Sequence, residues 1–170
     1  MKSSLEIEKL RKKDVLNFYR FVKNFILNEY ENYSSLIRHF YWRHFWNKKK
    51  IEKYLKDKDS ILMVAKEGGK IIGFLKGFVD YGGAAWINWL GVEKEFRKKG
   101  IGTSLLEETE KFFKSRLCHF IQWCTERTSL VNFCKKREWH LIGLQKESWC
   151  GQDEYLLQKN IDKPHFELWK

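Results

Sequence analysis

The sequence predicts a single α+β domain built on a mixed, mostly antiparallel sheet, and three observations lead to that fold class. The chain has 170 residues, the size of one ordinary domain, and 43% of them are hydrophobic, which is enough to form a core. Apolar residues recur at helical spacing in the first third of the chain and form short continuous runs after residue 59. Glycine pairs separate these runs at hairpin distances, which favours antiparallel neighbours.

The first third of the chain predicts one strand and two helical regions. Residues 5–8 alternate apolar and acidic side chains, as a short strand does. Asp14 is expected to cap a helix whose apolar positions recur over residues 15–26. A second helical region is predicted over 33–55, and we expect it to break near 47–50, where an asparagine precedes three lysines.

Three strands are predicted to follow. Residues 61–65 form a continuous apolar run, and residues 66–70 have the composition of a hairpin turn into a partner strand that begins with 71–75. A second glycine pair leads into a third strand over 84–92. Gly91 inside that strand predicts a bulge or a close backbone approach.

The remaining elements are a charged loop over 93–99 and then helices and strands in alternation. The predicted order is β-α-α-β-β-β-α-β-α-β-β, with six to seven strands and about four helices. After the loop we expect a helix over 103–117, a strand over 120–124, a helix over 130–137 and a closing hairpin of strands over 140–149 and 154–161.

Composition and spacing exclude several functions. The net charge is +11, and residues 1–58, with 15 basic and 7 acidic side chains, carry +8 of it, which favours an anionic partner. The four cysteines form no C-x-x-C pair and the histidines show no metal-ligand spacing, so we expect no metal. No apolar run is long enough for a signal peptide or a membrane span, which predicts a cytoplasmic protein without a membrane partner.

The segment from Val92 to Thr103 has the composition of a phosphate-binding loop. A strand ends, the cations Arg97, Lys98 and Lys99 follow, and glycines occupy positions 100 and 102 where a helix begins. Unpartnered amides and the helix dipole favour an anion at such a place. The segment lacks the lysine of a P-loop and the third glycine of a dinucleotide-binding fingerprint.

Arg97, Gly100 and Gly102 fill the three defined positions of the R/Q-x-x-G-x-G/A signature, and the segment therefore resembles that of the GNAT N-acetyltransferase superfamily. The order of predicted elements around the loop is similar as well, from about Leu5 to Ile161. The resemblance implies a GNAT-like domain over residues 1–161, followed by a C-terminal tail over 162–170.

The resemblance also implies a set of residues that bind acetyl-CoA, the acetyl donor. The strand before the signature pairs with the pantetheine arm, and the amide of Gly91 polarises the thioester carbonyl as an oxyanion donor. Arg97 supports the loop, and the coenzyme lies between the fourth and fifth strands. The residues expected to bind the cofactor are Leu90, Gly91, Val92, Arg97, Lys98, Lys99, Gly100, Ile101, Gly102, Thr103, Arg127 and Phe133.

The sequence departs from the family where proton transfer is concerned. Cys134 occupies the place of the tyrosine that protonates the leaving thiolate, so it is a candidate general acid, although a buried, inert cysteine is the commoner use of that residue. The position of the family's glutamate base is Trp86. Glu126, Asp80 and Tyr81 are then the alternatives for the base, beside a chain of water molecules.

The leading hypothesis is an acetyl-CoA-dependent N-acetyltransferase in which a primary amine attacks the thioester directly. The acceptor would be a small-molecule or peptide amine with an anionic or neutral body, because the cationic half of the chain repels a polycation. One alternative is a non-catalytic acetyl-CoA-binding module. Another is an RNA-binding protein built on the segment 38–46, but we expect those aromatic rings to form core and acceptor wall, and do not expect nucleic acid as a partner. Surplus tryptophans and exposed strand edges leave room for a homodimer.

Overall fold

A computed structural model describes residues 4–31 and 33–165, and within these ranges the chain forms seven strands and five α-helices. The strands are β1 (Leu5–Lys9), β2 (Ser60–Glu67), β3 (Lys70–Val79), β4 (Ala84–Val92), β5 (Phe120–Thr125), β6 (His140–Gln145) and β7 (Glu154–Asn160). The helices are α1 (Val15–Glu29), α2 (Ser35–Phe45), α3 (Lys48–Lys56), α4 (Ile101–Ser115) and α5 (Thr128–Lys135).

All seven strands belong to one sheet, in the order β1-β2-β3-β4-β5-β7-β6. The pairs β1/β2, β5/β7 and β6/β7 are antiparallel, whereas β4 and β5 run parallel from Ala84↔Phe120 to Ile87↔Trp123. The predicted α+β class and the mostly antiparallel sheet are therefore confirmed.

The second helical region is divided into α2 and α3, so there are five helices where about four were predicted. The side chain of Asn47 accepts a hydrogen bond from the backbone N–H of Lys50 (3.0 Å) and thereby caps α3. The break lies where the sequence predicted it. The predicted order, however, counted the region 33–55 as one helix, whereas the structure has two.

The helix-capping role expected of Asp14 is wrong. Asp14 precedes α1, but its side chain makes no capping bond. Its carboxylate instead accepts a hydrogen bond from Lys66 Nζ at 2.9 Å, and Glu8 lies 2.7 Å from the same buried ammonium. The hydrogen bond from Lys66 holds the pKa of Asp14 below its ordinary value.

The structure divides into two compact units, of which the first comprises residues 1–76 and 89–109. Its core lies on the apolar face of α1, which packs with α2 and α3. Trp46 is fully buried there, with its ring 5.2 Å from that of Phe74 and 5.7 Å from that of Phe18. Each such side chain stabilises the fold by roughly 1.5–3 kcal/mol.

The second unit comprises residues 77–88 and, of the described residues, 110–165, and it contains the paired strands β5, β7 and β6. Strand β6 ends at Gln145, earlier than the predicted 149, and Trp149–Gly151 forms a 3-10 turn. Of the predicted tail, residues 166–170 lie outside the described part of the chain. No helix among the described residues is long and apolar enough to cross a membrane.

Candidate functional site

The predicted phosphate loop connects the end of β4 to the start of α4. After Val92 the chain makes a 3-10 turn over Lys94–Phe96, and residues 97–100 then cross the surface, where all four are exposed. Helix α4 begins at Ile101, and the first bond of its ladder runs from the N–H of Ser104 to the carbonyl of Gly100 (3.0 Å). The loop therefore ends in a helix N-terminus, as the sequence predicted.

The backbone of this loop is shaped to present its amides. Lys98 and Gly100 have positive φ angles of 61° and 85°. Alternation of left-handed residues with ordinary ones turns successive N–H groups towards one side, which is the geometry of an anion-binding nest. Across the described part of the chain, the amides from Lys98 to Gly102 meet no protein acceptor.

Space for a ligand is open at the same place. A Cβ atom added to Gly100 would have no neighbour within 4 Å, so the positive φ, and not crowding by the protein, favours glycine there. The side chain of Lys98 is exposed, and Lys99 Nζ lies 4.9 Å from the ring centre of Phe96. The loop thus combines unpartnered donors, open space and two cations, which fits a diphosphate.

Arg97 supports the loop from behind. Its Nε donates to the carbonyl of Val92 at 2.9 Å, and its guanidinium pairs with the carboxylate of Glu29 at the end of α1. The other oxygen of Glu29 accepts from the N–H of Lys94 at 3.3 Å. Sequence reasoning missed Glu29, because 68 residues separate it from Arg97.

Gly91 is needed for close packing. A Cβ added there would lie 2.5 Å from the ring of Phe74 and 2.6 Å from that of Phe25. The carbonyl of Gly91 in turn approaches Gly73 on β3, where an added Cβ would lie 3.1 Å away. The expected close backbone approach is therefore present, while the bulge stays a prediction.

Trp89, which sequence reasoning did not single out, lies two residues before Gly91 at the centre of an aromatic cluster. The cluster contains both buried and partly buried rings. Tyr41 and Trp46 are only 5% and 0% exposed, so neither ring can stack on a base, as the RNA-binding alternative would require. The rings within 6.2 Å of Trp89 are those of Tyr30, Tyr41, Phe45 and Trp46.

In the second unit, Arg127 and Phe133 lie at opposite ends of α5. The N–H of Arg127 donates to Thr125 Oγ1 at 3.1 Å, and the Arg127 side chain pairs with Glu126 at 3.4 Å. The guanidinium of Arg137 covers the ring of Phe133, with 3.8 Å between its carbon and the ring centre. Contacts of these two residues with a coenzyme stay predictions.

Cys134 is fully buried on the core side of α5. Burial raises the pKa of its thiol to about 12, which the nearby charge of Arg137 only partly opposes. The thiol is protonated at neutral pH and shielded from solvent. These surroundings favour a packing role, and the predicted role as general acid stays untested.

The alternatives for the base differ in their surroundings. Tyr81 is 94% exposed, and the Asp80 carboxylate accepts from the N–H of Tyr81 at 2.8 Å, in the turn before the first residue of β4. Gly91 lies near the other end of that strand. No group of three metal-ligating side chains occurs in the described part of the chain.

The sequence of this chain matches one family of known proteins, and its fold is similar to those of several solved structures. The family model described as the acetyltransferase (GNAT) family matches residues 24–138. A structure of PaiA N-acetyltransferase from Thermoplasma acidophilum in complex with coenzyme A is similar, with a TM-score of 0.78, 20% identity, and coverage of 92% of this chain and 99% of that one.

Two further structures show the breadth of the same fold. The ribosomal-protein-S18-alanine N-acetyltransferase from Escherichia coli has a TM-score of 0.70 at 13% identity, covering 94% of this chain and 96% of its own. An aminoglycoside 6'-N-acetyltransferase complexed with coenzyme A has a TM-score of 0.70 at 17% identity, covering 93% and 98%.

Proposed function

Because the chain belongs to the GNAT acetyltransferase family, we propose that it is an N-acetyltransferase that uses acetyl-CoA and transfers the acetyl group to a primary amine. The observation that carries this proposal is the row of amides from Lys98 to Gly102, which meet no protein acceptor among the described residues. Such amides at a helix N-terminus bind a diphosphate.

The loop residues divide the work of holding the diphosphate. The backbone N–H groups donate hydrogen bonds, and hydrogen bonds to an anion are roughly twice as strong as neutral ones. Lys98 and Lys99 add positive charge, while Arg97 holds the loop on the last residue of β4. A bound acetyl-CoA supplies an activated thioester, and the backbone N–H of Gly91 is the proposed donor to its carbonyl oxygen.

The partly buried ring of Trp89, backed by the aromatic cluster, is the proposed wall for the acceptor. Trp89 shares its strand with Gly91, so an amine held against this ring lies next to the proposed oxyanion donor. Ring faces accommodate an apolar body or a single ammonium. Positioning the amine is itself a large part of the catalysis of such a reaction. We propose a small-molecule or peptide amine whose body is neutral or anionic.

Isothermal titration with acetyl-CoA tests the proposal. We expect the wild type to bind, and Gly102→Gln to lose at least 100-fold in affinity, because a side chain in the first turn of α4 would occupy the place of a phosphate. Glutamine favours a helix more than glycine does, by roughly 0.5 kcal/mol, so the helix itself should not suffer.

Ser115→Gln introduces the same side chain at the exposed other end of α4 and is the matched control. It should bind acetyl-CoA like the wild type. Absence of binding by the wild type would refute the transferase, and equal binding by Gly102→Gln would refute this location of the diphosphate.

A second candidate, a non-catalytic acetyl-CoA-binding module, is favoured by one observation: the residue at the place of the family's acid is the buried Cys134. Turnover distinguishes the two functions. Steady release of free coenzyme A in the presence of any member of an amine panel establishes an enzyme. Binding without release on every member would establish the module.

A further inference from the structure

Glu29 makes a connection that neither the signature nor the chemistry of acetyl transfer assigns. It is the last residue of α1, and its carboxylate reaches two places in the phosphate loop. One oxygen accepts from the N–H of Lys94 at 3.3 Å and the other pairs with the guanidinium of Arg97. The carboxylate is 21% exposed, so water competes only in part for these bonds.

Arg97 carries the connection on to the sheet. Besides Glu29, it binds the carbonyl of Val92 through Nε at 2.9 Å. The Arg97 side chain therefore joins the end of α1 to the last residue of β4. Arg97 is also the residue directly before the row of amides, so these two bonds fix where that row begins. Because the guanidinium is planar and its donors are fixed in direction, these two partners also fix its orientation.

We propose that Glu29 is a positioning residue for the diphosphate: it holds Arg97 and Lys94 so that the amides from Lys98 to Gly102 point in one direction before the ligand arrives. The inference rests on the proposed function. Preorganised donors raise affinity because the loop need not lose conformational freedom on binding. Glu29 thus acts through the loop and does not itself contact the coenzyme.

Because Glu29 is charged, its role can be tested by whether removal of the charge strengthens or weakens the binding of acetyl-CoA. A carboxylate near a diphosphate repels it, and the carboxylate of Glu29 also neutralises the charge of Arg97. If Glu29 acted only through its charge, removing that charge would tighten binding. If it positions the loop, removing the charge weakens binding.

Glu29→Gln is the variant that separates these effects, because the amide keeps the shape and an oxygen for Lys94 N–H but loses the ion pair. We expect its Kd and KM for acetyl-CoA to rise about tenfold, with kcat at saturating acetyl-CoA within twofold of the wild type. Glu31→Gln removes an equal charge from an exposed residue two positions later and is the matched control, expected to be unchanged.

A double-mutant cycle with Arg97→Gln identifies the partner. The double variant should bind acetyl-CoA with the affinity of whichever single variant binds it less tightly, because both substitutions break the same Glu29–Arg97 ion pair. Melting temperatures are recorded for all variants, so that loss of fold is not read as loss of affinity.

The outcomes are distinct. Unchanged or tighter binding by Glu29→Gln would overturn the proposal, as would a fall in kcat with KM unaltered, which a general structural defect produces. Additive effects in the cycle would overturn the connection through Arg97. Failure of the wild type to bind acetyl-CoA would instead refute the proposed function on which this inference depends.

Discussion

The phosphate loop and helix α5 carry the two motifs that matter for a transferase, and they differ in exposure. Residues 97–100 of the loop lie on the surface, their amides from Lys98 onward meet no acceptor among the described residues, and the space around an added Cβ at Gly100 is open. In α5, Cys134 is completely buried and its thiol is protonated at neutral pH because burial raises its pKa to about 12. One region offers groups to a ligand, whereas the other encloses its thiol.

This difference teaches which parts of a site tolerate change. The loop is proposed to bind the diphosphate through its backbone, so we expect a side chain added at Gly100 or Gly102 to remove binding. Helix α5 has Cys134 at the place of the family's tyrosine, yet its apolar positions still fill a core. Packing asks only for shape and apolarity, whereas acid catalysis asks for one chemical group in one place.

The largest effect is expected from Gly100→Val. The left-handed backbone at this position (φ 85°) costs an ordinary residue about 1–2 kcal/mol, and the new side chain would fill the space proposed for the diphosphate. We expect acetyl-CoA binding to fall below detection by calorimetry.

Gly69→Val is the control for Gly100→Val. Gly69 also has a positive φ (79°) and no atom within 4 Å of its added Cβ, but it lies in the turn between β2 and β3. It should lose stability without losing affinity. Similar losses of affinity in both variants would break the contrast by showing that strain alone explains the effect.

The next largest effect is expected on the stability of the protein, from a buried lysine in the same unit as the loop. Lys76 is buried, and desolvation lowers the pKa of its ammonium to about 8, although the ring of Tyr54 lies 4.6 Å from it. Between pH 8 and the ordinary lysine value the unfolded chain binds a proton that the folded chain lacks, so stability rises with pH in that window. Below pH 8 the buried, charged Lys76 lowers the free energy of unfolding by up to about 3 kcal/mol.

Lys76→Met should therefore raise the free energy of unfolding at pH 7 and abolish its rise above pH 8, as measured by urea unfolding across that range. Lys58→Met, the same change at an exposed position, should do neither. A destabilised Lys76→Met variant would show that the charged form is favoured in the folded protein.

The smallest effect is expected from Cys134→Ala, which tests the buried half of the comparison between the phosphate loop and α5. Removal of the thiol leaves a small cavity and should cost about 1–2 kcal/mol of stability, with kcat within about threefold of the wild type. General acids contribute 10²–10⁴-fold to rate. A hundredfold fall in kcat in a variant that stays folded would therefore assign proton donation to Cys134.

Local features of the chain were predictable. The apolar spacing that marks α1, the break between α2 and α3 near Asn47, and the cations and glycines before α4 all depend on residues that lie close together in the sequence. Asp14 was mistaken for a cap because its true partner, Lys66, lies 52 residues away. Glu29 escaped notice for the same reason.

The sequence by itself determined the order of the strands, the glycine-cation loop and a helix at the end of that loop, predicted to begin at 103 and found to begin at Ile101, because hydrophobic period and turn chemistry are properties of short segments. Only the tertiary structure decided that Arg97 faces Glu29, that Gly91 lies beneath Phe25 and Phe74, and that Cys134 is shut away from water. Those outcomes depend on which distant segments meet. Burial and charge pairing follow from that meeting and from no pattern within either segment.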